Sequence, residues 1–187
     1  MERSNTMSER VRVLIPEEDL NARIDEVAQR INKDYEGKEV LLVGILKGAA
    51  MFMCELAKRL TMSVTFDFMS VSSYGRSTVS SGEVRILKDL DNTPEGKHVI
   101  IVEDIIDTGR TLNSLSEILA QRNVKSISIC TLLNKPSRRV AKEVKVDYSC
   151  FEIPDAFAVG CGLDYDQKYR NLPYIGVVEF DEEGDNQ

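Results

Sequence analysis

His98-Val-Ile-Ile-Val-Glu-Asp-Ile-Ile-Asp-Thr-Gly-Arg-Thr111 opens as a run of β-branched apolar residues and closes as a helix start. Val99 to Val102 have the composition of a strand buried on both faces, which is the habit of a parallel sheet covered by helices. Thr111 begins a predicted helix to Arg122, in which Leu112, Leu115, Ile118 and Leu119 share one face. Between strand and helix stand three acids, Glu103, Asp104 and Asp107, followed by Thr108, Gly109, Arg110 and Thr111. A strand that feeds a helix N-terminus offers backbone N–H groups and the positive end of the helix dipole to an anion. An acidic turn with Thr111 as a plain cap would account for the residues singly. Acids directly upstream of an anion cradle point instead to one ligand carrying both a phosphate and metal-bound hydroxyls.

Working outward, the same strand–loop–helix pattern recurs. Glu39 to Ile45 reads as a second buried strand and Ala49 to Leu60 as a helix, with Leu46-Lys47-Gly48 between them as a further anion site. The motif of a P-loop is absent. Upstream, Val11 to Ile15 is a short strand, and Pro16 starts a helix to about Lys33 whose Leu20, Ile24, Val27 and Ile31 form its packed face. Val64 to Ser70 and Val84 to Leu87 read as strands flanking the polar segment Val71 to Gly82, a long loop of the kind that serves as a mobile lid. Ser73 and Tyr74 are its candidates for closing over a ligand. Ser126 to Leu133 is a buried strand ending at Asn134-Lys135-Pro136, and Tyr174 to Phe180 is a closing strand. In open α/β sheets ligands gather beyond the carboxyl ends of the strands, so Lys47, Glu103 and Lys135 belong to one rim and one pocket. Asp164 and Arg170 are a strongly polar pair in an otherwise apolar segment. Gly160-Cys161-Gly162 lacks the third glycine and the following βαβ unit of a dinucleotide fingerprint.

Bulk properties narrow the class. A chain of 187 residues fits one α/β domain with a sizeable core. The net charge of −7, with Ser137-Arg-Arg139 as the main basic run, argues against a nucleic-acid groove. The four cysteines are widely spaced without a C-x-x-C pair, which fits reduced thiols rather than a disulfide or zinc framework. No apolar h-region opens the chain and no stretch approaches the ~20 apolar residues of a membrane span, so a cytoplasmic protein without membrane attachment is expected.

Taken together, these motifs resemble those of the 6-oxopurine phosphoribosyltransferases of the hypoxanthine-guanine type. Val102 to Leu112 is similar to that family's phosphoribosyl-pyrophosphate motif, Leu46-Lys47-Gly48 to its pyrophosphate loop, Ser73-Tyr74 to its mobile-loop pair, Lys135 to its purine-reading lysine, and Val159 through Arg170 to its hood. The resemblance implies an α/β fold with a mostly parallel central sheet flanked by helices, a small C-terminal hood and a mobile lid. Residues 1–187 would form one domain, with a core of about 11–150 and a hood of about 1–15 and 151–187. The implied reaction is transfer of 5-phosphoribose from phosphoribosyl pyrophosphate to N9 of hypoxanthine or guanine.

In that reading Asp107 to Thr111 wrap the 5′-phosphate, Glu103 and Asp104 face the ribose hydroxyls and their Mg²⁺, and Asp164 holds a second Mg²⁺ on pyrophosphate. Asp107 doubles as general acid/base at purine N7. Lys135 reads the 6-oxo group, Phe157 stacks on the base and the Ala158 backbone reads its edge. Arg170 and the Lys47-Gly48 backbone bind the leaving pyrophosphate, and a homodimer or homotetramer is implied. Ala158 stands where some relatives have valine, and Cys161-Gly162 replace bulkier residues, which is expected to shift preference toward hypoxanthine. A non-catalytic regulator on the same fold, sensing phosphoribosyl pyrophosphate or a nucleotide, is the rival from another class; it would be expected to lack the lid or part of the acid set, or to carry a basic surface.

Overall fold

The computed structural model describes residues 9–73 and 84–180. In chain order its elements are β1 (Glu9–Ile15), α1 (Glu17–Asp34), β2 (Glu39–Leu46), α2 (Ala49–Ala57), β3 (Ser63–Ser73), β4 (Val84–Lys88), β5 (His98–Ile106), α3 (Arg110–Ala120), β6 (Ser126–Asn134), β7 (Tyr148–Glu152), β8 (Ala158–Val159) and β9 (Ile175–Phe180). A single 3-10 turn, Pro136–Arg138, follows β6.

Six strands form the main sheet in the order β4-β3-β2-β5-β6-β7, with β5 near its centre. Every neighbouring pair is parallel except β3 and β4, which are antiparallel. The two-residue period of the strands explains the apolar runs. Leu42, Ile100 and Val102 enter the core under α1 and α2, together with Ile24, Val27, Ile31 and Phe52. Leu41, Val43, Val99 and Ile101 enter a second core with Leu112, Leu115 and Leu119 of α3. Strands buried on both faces cannot alternate polar and apolar residues, so continuous β-branched sequence is what this position in the sheet demands. The central sheet is therefore mostly parallel and flanked by helices, as expected.

A second, three-stranded antiparallel sheet has the order β1-β9-β8 and joins the two ends of the described chain. The segment between β8 and β9 reaches the loop after β2, where Gly162 packs on the Gly48 carbonyl and Gln167 accepts from Lys47. Two ion pairs, from Arg10 and Arg12 on β1 to Glu179 on β9, tie an outer strand of this sheet to its central one.

Several element boundaries differ from expectation. The second helix stops at Ala57 rather than Leu60, its end closed by turns in which Lys58 N–H donates to the Cys54 carbonyl and Arg59 N–H to that of Leu56. The third begins at Arg110 rather than Thr111, because Gly109 supplies a left-handed N-cap (φ 80°) that a residue with a Cβ adopts only at a cost. β5 continues to Ile106, so Glu103 and Asp104 belong to the strand itself. β3 reaches Ser73 and pairs with β4 as a hairpin, while Tyr74 and the remainder of the expected lid to Gly82 lie outside the described residues.

Buried Asp67 on β3 fastens the connection that leads into β5. Its Oδ1 accepts from Phe68 N–H at 2.8 Å, and its Oδ2 accepts from Asp91 N–H at 2.9 Å and Asn92 N–H at 3.4 Å. Lys88 Nζ lies 3.6 Å away. Replacing Asp67 by Ala strands these donors, and the expected cost is about 1–3 kcal/mol. Thermal unfolding should show a midpoint lower by about 2–4 °C for each kcal/mol lost.

Candidate active site

Because β2, β5 and β6 are parallel, their carboxyl ends share one rim, and the residues after each strand converge there. A cleft of about 300 Å³ opens at this rim, lined by Ile45, Val71, Glu103, Asp104, Ile105 to Gly109, Thr111 and Leu112. A roomier groove of about 530 Å³ lies elsewhere, between α1, α2 and residues 171–173. That groove is mainly apolar, and the charged residues of the rim do not line it.

Glu103 and Asp104 are half-buried side by side in the cleft. Burial first, and the neighbouring Asp104 second, push the Glu103 carboxyl well above the usual carboxylate range. Burial also raises Asp104, opposed by its hydrogen bond with Glu103, by the Ile105 N–H and by the charge of Arg170. Two carboxylates at the end of an apolar strand repel each other in a medium that solvates them poorly. The arrangement is suited to a divalent cation with substrate oxygens completing its shell. Among the described residues no group of three or more His, Cys, Asp or Glu could hold a metal alone, so the pair would share a cation with a ligand.

Downstream, the turn Asp107 to Gly109 passes into α3. The Thr108 carbonyl accepts from both Val140 and Ala141 N–H at 2.9 Å. Arg139 braces the turn further: its Nε donates to the Asp107 carbonyl at 3.3 Å and its Nη2 to Asn134 Oδ1 at 2.6 Å. The loop that would cradle a phosphate is thus buttressed from behind by residues 139–141.

On the other side, the β2–α2 loop is pressed between β5 and the segment 160–170. The Leu46–Lys47 peptide is cis. A Cβ at Gly48 would fall on the Asp104 carboxylate, and a Cβ at Gly162 would fall on the Gly48 carbonyl. Acid, loop and the segment after β8 are therefore stacked through two glycines, and the small size of Gly162 has a packing reason. Lys47 Nζ donates to Gln167 Oε1 at 3.3 Å. Asp164 pairs with Arg170 at 2.7 Å and also accepts from Gln167 N–H at 2.8 Å. Arg170 Nη1 donates to the Gly162 carbonyl at 2.7 Å.

The third sector holds the base-facing candidates. Lys135 is buried, and its backbone N–H donates to the Ile106 carbonyl at 3.0 Å, which locks β6 to the acid-bearing strand. Phe157 is 55% exposed, as a stacking surface requires, and Tyr165 supports it edge-on with ring centres 5.4 Å apart. Ala158 is buried in β8 beside it. Asp107 receives Arg138 Nε at 3.1 Å.

Lys47, Gly48, Glu103, Asp104, Asp107 to Thr111, Lys135, Phe157, Ala158, Asp164 and Arg170 all stand on the rim or on the small sheet and segment facing it. Ser73 ends β3 at the same side, and Tyr74 lies outside the described residues. Four residues joined to this set were not singled out by sequence. Arg138 and Arg139 stood out only as a basic run, Gln167 only as part of the segment Val159 through Arg170, and Asp155 not at all.

Residues 17–166 match the model of the phosphoribosyl transferase domain. The chain is 52% identical over 168 residues to a hypoxanthine-guanine phosphoribosyltransferase of Streptococcus thermophilus, covering 90% of this chain and 93% of that protein. It is likewise 52% identical over 168 residues to the enzyme of the same name from Bacillus subtilis, with the same coverage. Its fold is similar to the crystal structure of a hypoxanthine phosphoribosyltransferase from Staphylococcus aureus, with a TM-score of 0.86 and 47% identity over 95% of this chain and 97% of that one.

The raised acid pair yields a signed prediction. A carboxyl whose folded pKa lies above its free value of 4.5 binds its proton more tightly in the folded chain, so ionising it costs stability as pH rises. Glu103→Gln should therefore unfold at nearly the wild-type temperature near pH 4.5, and its advantage should grow as pH rises until Glu103 is ionised in the fold. Thermal unfolding from about pH 5 to pH 9 without divalent ions measures this, and a midpoint difference that stays constant or shrinks as pH rises would contradict it.

Proposed function

The chain belongs to the phosphoribosyltransferase family, and from that premise we propose that it is a purine-salvage enzyme acting on hypoxanthine and guanine. It transfers the 5-phosphoribosyl group of phosphoribosyl pyrophosphate to N9 of the base, giving IMP or GMP and pyrophosphate. The observation that carries this reading is the convergence on one rim of the acid pair Glu103–Asp104, the braced turn Asp107 to Thr111 and the buried Lys135.

Each group has a task that its environment suits. Backbone N–H groups and hydroxyls of Thr108 to Thr111 receive the 5′-phosphate at the start of α3, where the helix dipole favours an anion. Lys135 donates to the 6-oxo group, and an amino group at that position cannot accept the bond, so adenine is refused. Phe157, held by Tyr165, stacks on the base, and the Ala158 backbone meets its edge. Asp107 handles the proton at N7 as the ring nitrogen bonds to ribose. Arg170 and the Lys47-Gly48 backbone take the pyrophosphate as negative charge grows on it. Ser73, the last residue of β3, and Tyr74, the next in sequence, are assigned to closing over the site and keeping water from the ribosyl centre.

Glu103 and Asp104 fit Mg²⁺, a hard cation that prefers carboxylate and substrate oxygens and keeps part of its own water. When bound, the metal supplies positive charge at the ribose and pyrophosphate oxygens. Asp164 is the candidate for a second ion, although its carboxylate is already held by Arg170 and Gln167. Residues 1–187 acting as one domain, assembly as a homodimer or homotetramer and a cytoplasmic location complete the proposal. No helix among the described residues is long and apolar enough to cross a membrane.

The reading is tested by supplying purines one at a time with phosphoribosyl pyrophosphate and Mg²⁺ and following nucleotide formation. IMP and GMP are expected and AMP is not; no nucleotide from either hypoxanthine or guanine would overturn it in favour of a sensing protein. Asp107→Asn should lower kcat by about 10²- to 10⁴-fold, the usual range for a general acid/base. Equilibrium binding of phosphoribosyl pyrophosphate to the same variant should change little, because the backbone cradle is intact.

A further inference from the structure

Arg138 lies in the 3-10 turn after β6, three residues beyond Lys135. Its guanidinium reaches two acids from different parts of the chain. Nε donates to Asp107 Oδ1 at 3.1 Å, and Nη1 donates to Asp155 Oδ2 at 3.1 Å. The other oxygen of Asp155, Oδ1, lies 3.6 Å from Lys135 Nζ. Four side chains thus form one line, Asp107, Arg138, Asp155 and Lys135, in which charges alternate from end to end. Its two ends are the carboxylate assigned to the N7 proton and the ammonium assigned to the 6-oxo group.

The line is not explained by stability. The side chains of Arg138, Asp107 and Asp155 are 50%, 40% and 52% exposed, and ion pairs this wet contribute little to folding. Its geometry is better matched to orientation. A carboxylate on a loop swings about two side-chain torsions, and a donor fixed on one of its oxygens leaves the other aimed in a set direction. Arginine suits this role because its planar fork presents several N–H groups at fixed angles and spans two carboxylates at once, whereas lysine offers a single point charge. The turn Pro136–Arg138 is itself pinned, as Arg138 N–H donates to the Lys135 carbonyl at 3.1 Å and Arg139 N–H to that of Pro136 at 3.1 Å.

We propose that Arg138 is a positioning residue for the transfer reaction, holding Oδ1 of Asp107 so that the other oxygen meets the base, and that Asp155 couples this hold to the lysine that reads the base. The inference rests on the roles given above to Asp107 and Lys135. Arg138 exchanges no proton and forms no bond to substrate; it restricts where the Asp107 carboxylate points once the base lies against Lys135. Its loss acts on turnover rather than on capture of phosphoribosyl pyrophosphate, whose cradle is braced separately by Arg139, Val140 and Ala141.

The test is steady-state kinetics of the full chain with hypoxanthine, phosphoribosyl pyrophosphate and Mg²⁺, comparing wild type, Arg138→Gln, Arg138→Lys, Asp155→Asn and the double variant Arg138→Gln/Asp155→Asn. Arg138→Gln should lower kcat by roughly tenfold or more, since small misplacement of a reacting group is costly. KM for phosphoribosyl pyrophosphate and the unfolding midpoint should stay near wild type. Arg138→Lys should fall between the two, keeping charge without the bridge. Asp155→Asn should also slow turnover, and the double variant should be no slower than Arg138→Gln, because both break one line. Wild-type kcat in Arg138→Gln, or losses from Arg138→Gln and Asp155→Asn that multiply in full, would overturn the proposal. Should Arg138→Gln unfold, Arg138→Lys carries the same comparison. A wild-type chain that makes no IMP would instead strike the underlying reading, which separates the two failures.

Discussion

Two carboxylates placed side by side at the end of a buried strand set the terms for the rest of this structure. Glu103 and Asp104 continue the apolar run of β5, and the strand's neighbours on both sides are apolar. Burial raises both carboxyls, so part of the fold's stability is given up where they stand. Nearly every feature of the rim is arranged about them. Gly48 lacks the side chain that would collide with Asp104, Gly162 lacks the one that would collide with the Gly48 carbonyl, and Arg170 adds the nearest favourable charge to Asp104. A site of this kind is poised for a ligand that brings its own cation and its own oxygens.

The rim also divides by wetness. The phosphate turn and acid pair are backed by β-sheet and by the 139–141 brace, so their geometry is held by backbone hydrogen bonds. The sector proposed to face the base is more open, with Phe157, Asp107, Arg138 and Asp155 all substantially exposed. Under the proposed function, this divides rigid recognition of a sugar phosphate from a more open surface for a flat base. It places the orientation of Asp107 in the hands of side-chain contacts rather than backbone.

Local pattern made much of this visible before any coordinates. The packed face of α1, Leu20, Ile24, Val27 and Ile31, is buried throughout, and the apolar runs of β2 and β5 lie in the main sheet's two cores. Once the strands are parallel, the gathering of Lys47, Glu103 and Lys135 on one rim follows from topology alone. What pattern could not supply are contacts between distant segments. The pairing of residues 9–15 with 175–180, the stacking of Gly162 on Gly48 and the reach of Arg138 to Asp107 have no periodicity to announce them. The helix start at Arg110 was misplaced by one residue because a left-handed glycine, not a hydroxyl side chain, forms the cap. The purine preference expected from Gly162 has a competing explanation in packing against the β2–α2 loop.

The central claim is that the acid pair Glu103–Asp104 is completed by a divalent cation shared with phosphoribosyl pyrophosphate. Calorimetric titration of phosphoribosyl pyrophosphate into the full chain, with Mg²⁺ and then with excess chelator, measures this without relying on turnover. The account predicts binding with Mg²⁺ that weakens by at least about tenfold, or about 1.4 kcal/mol, when the cation is removed. Equal affinity in the two conditions would contradict it.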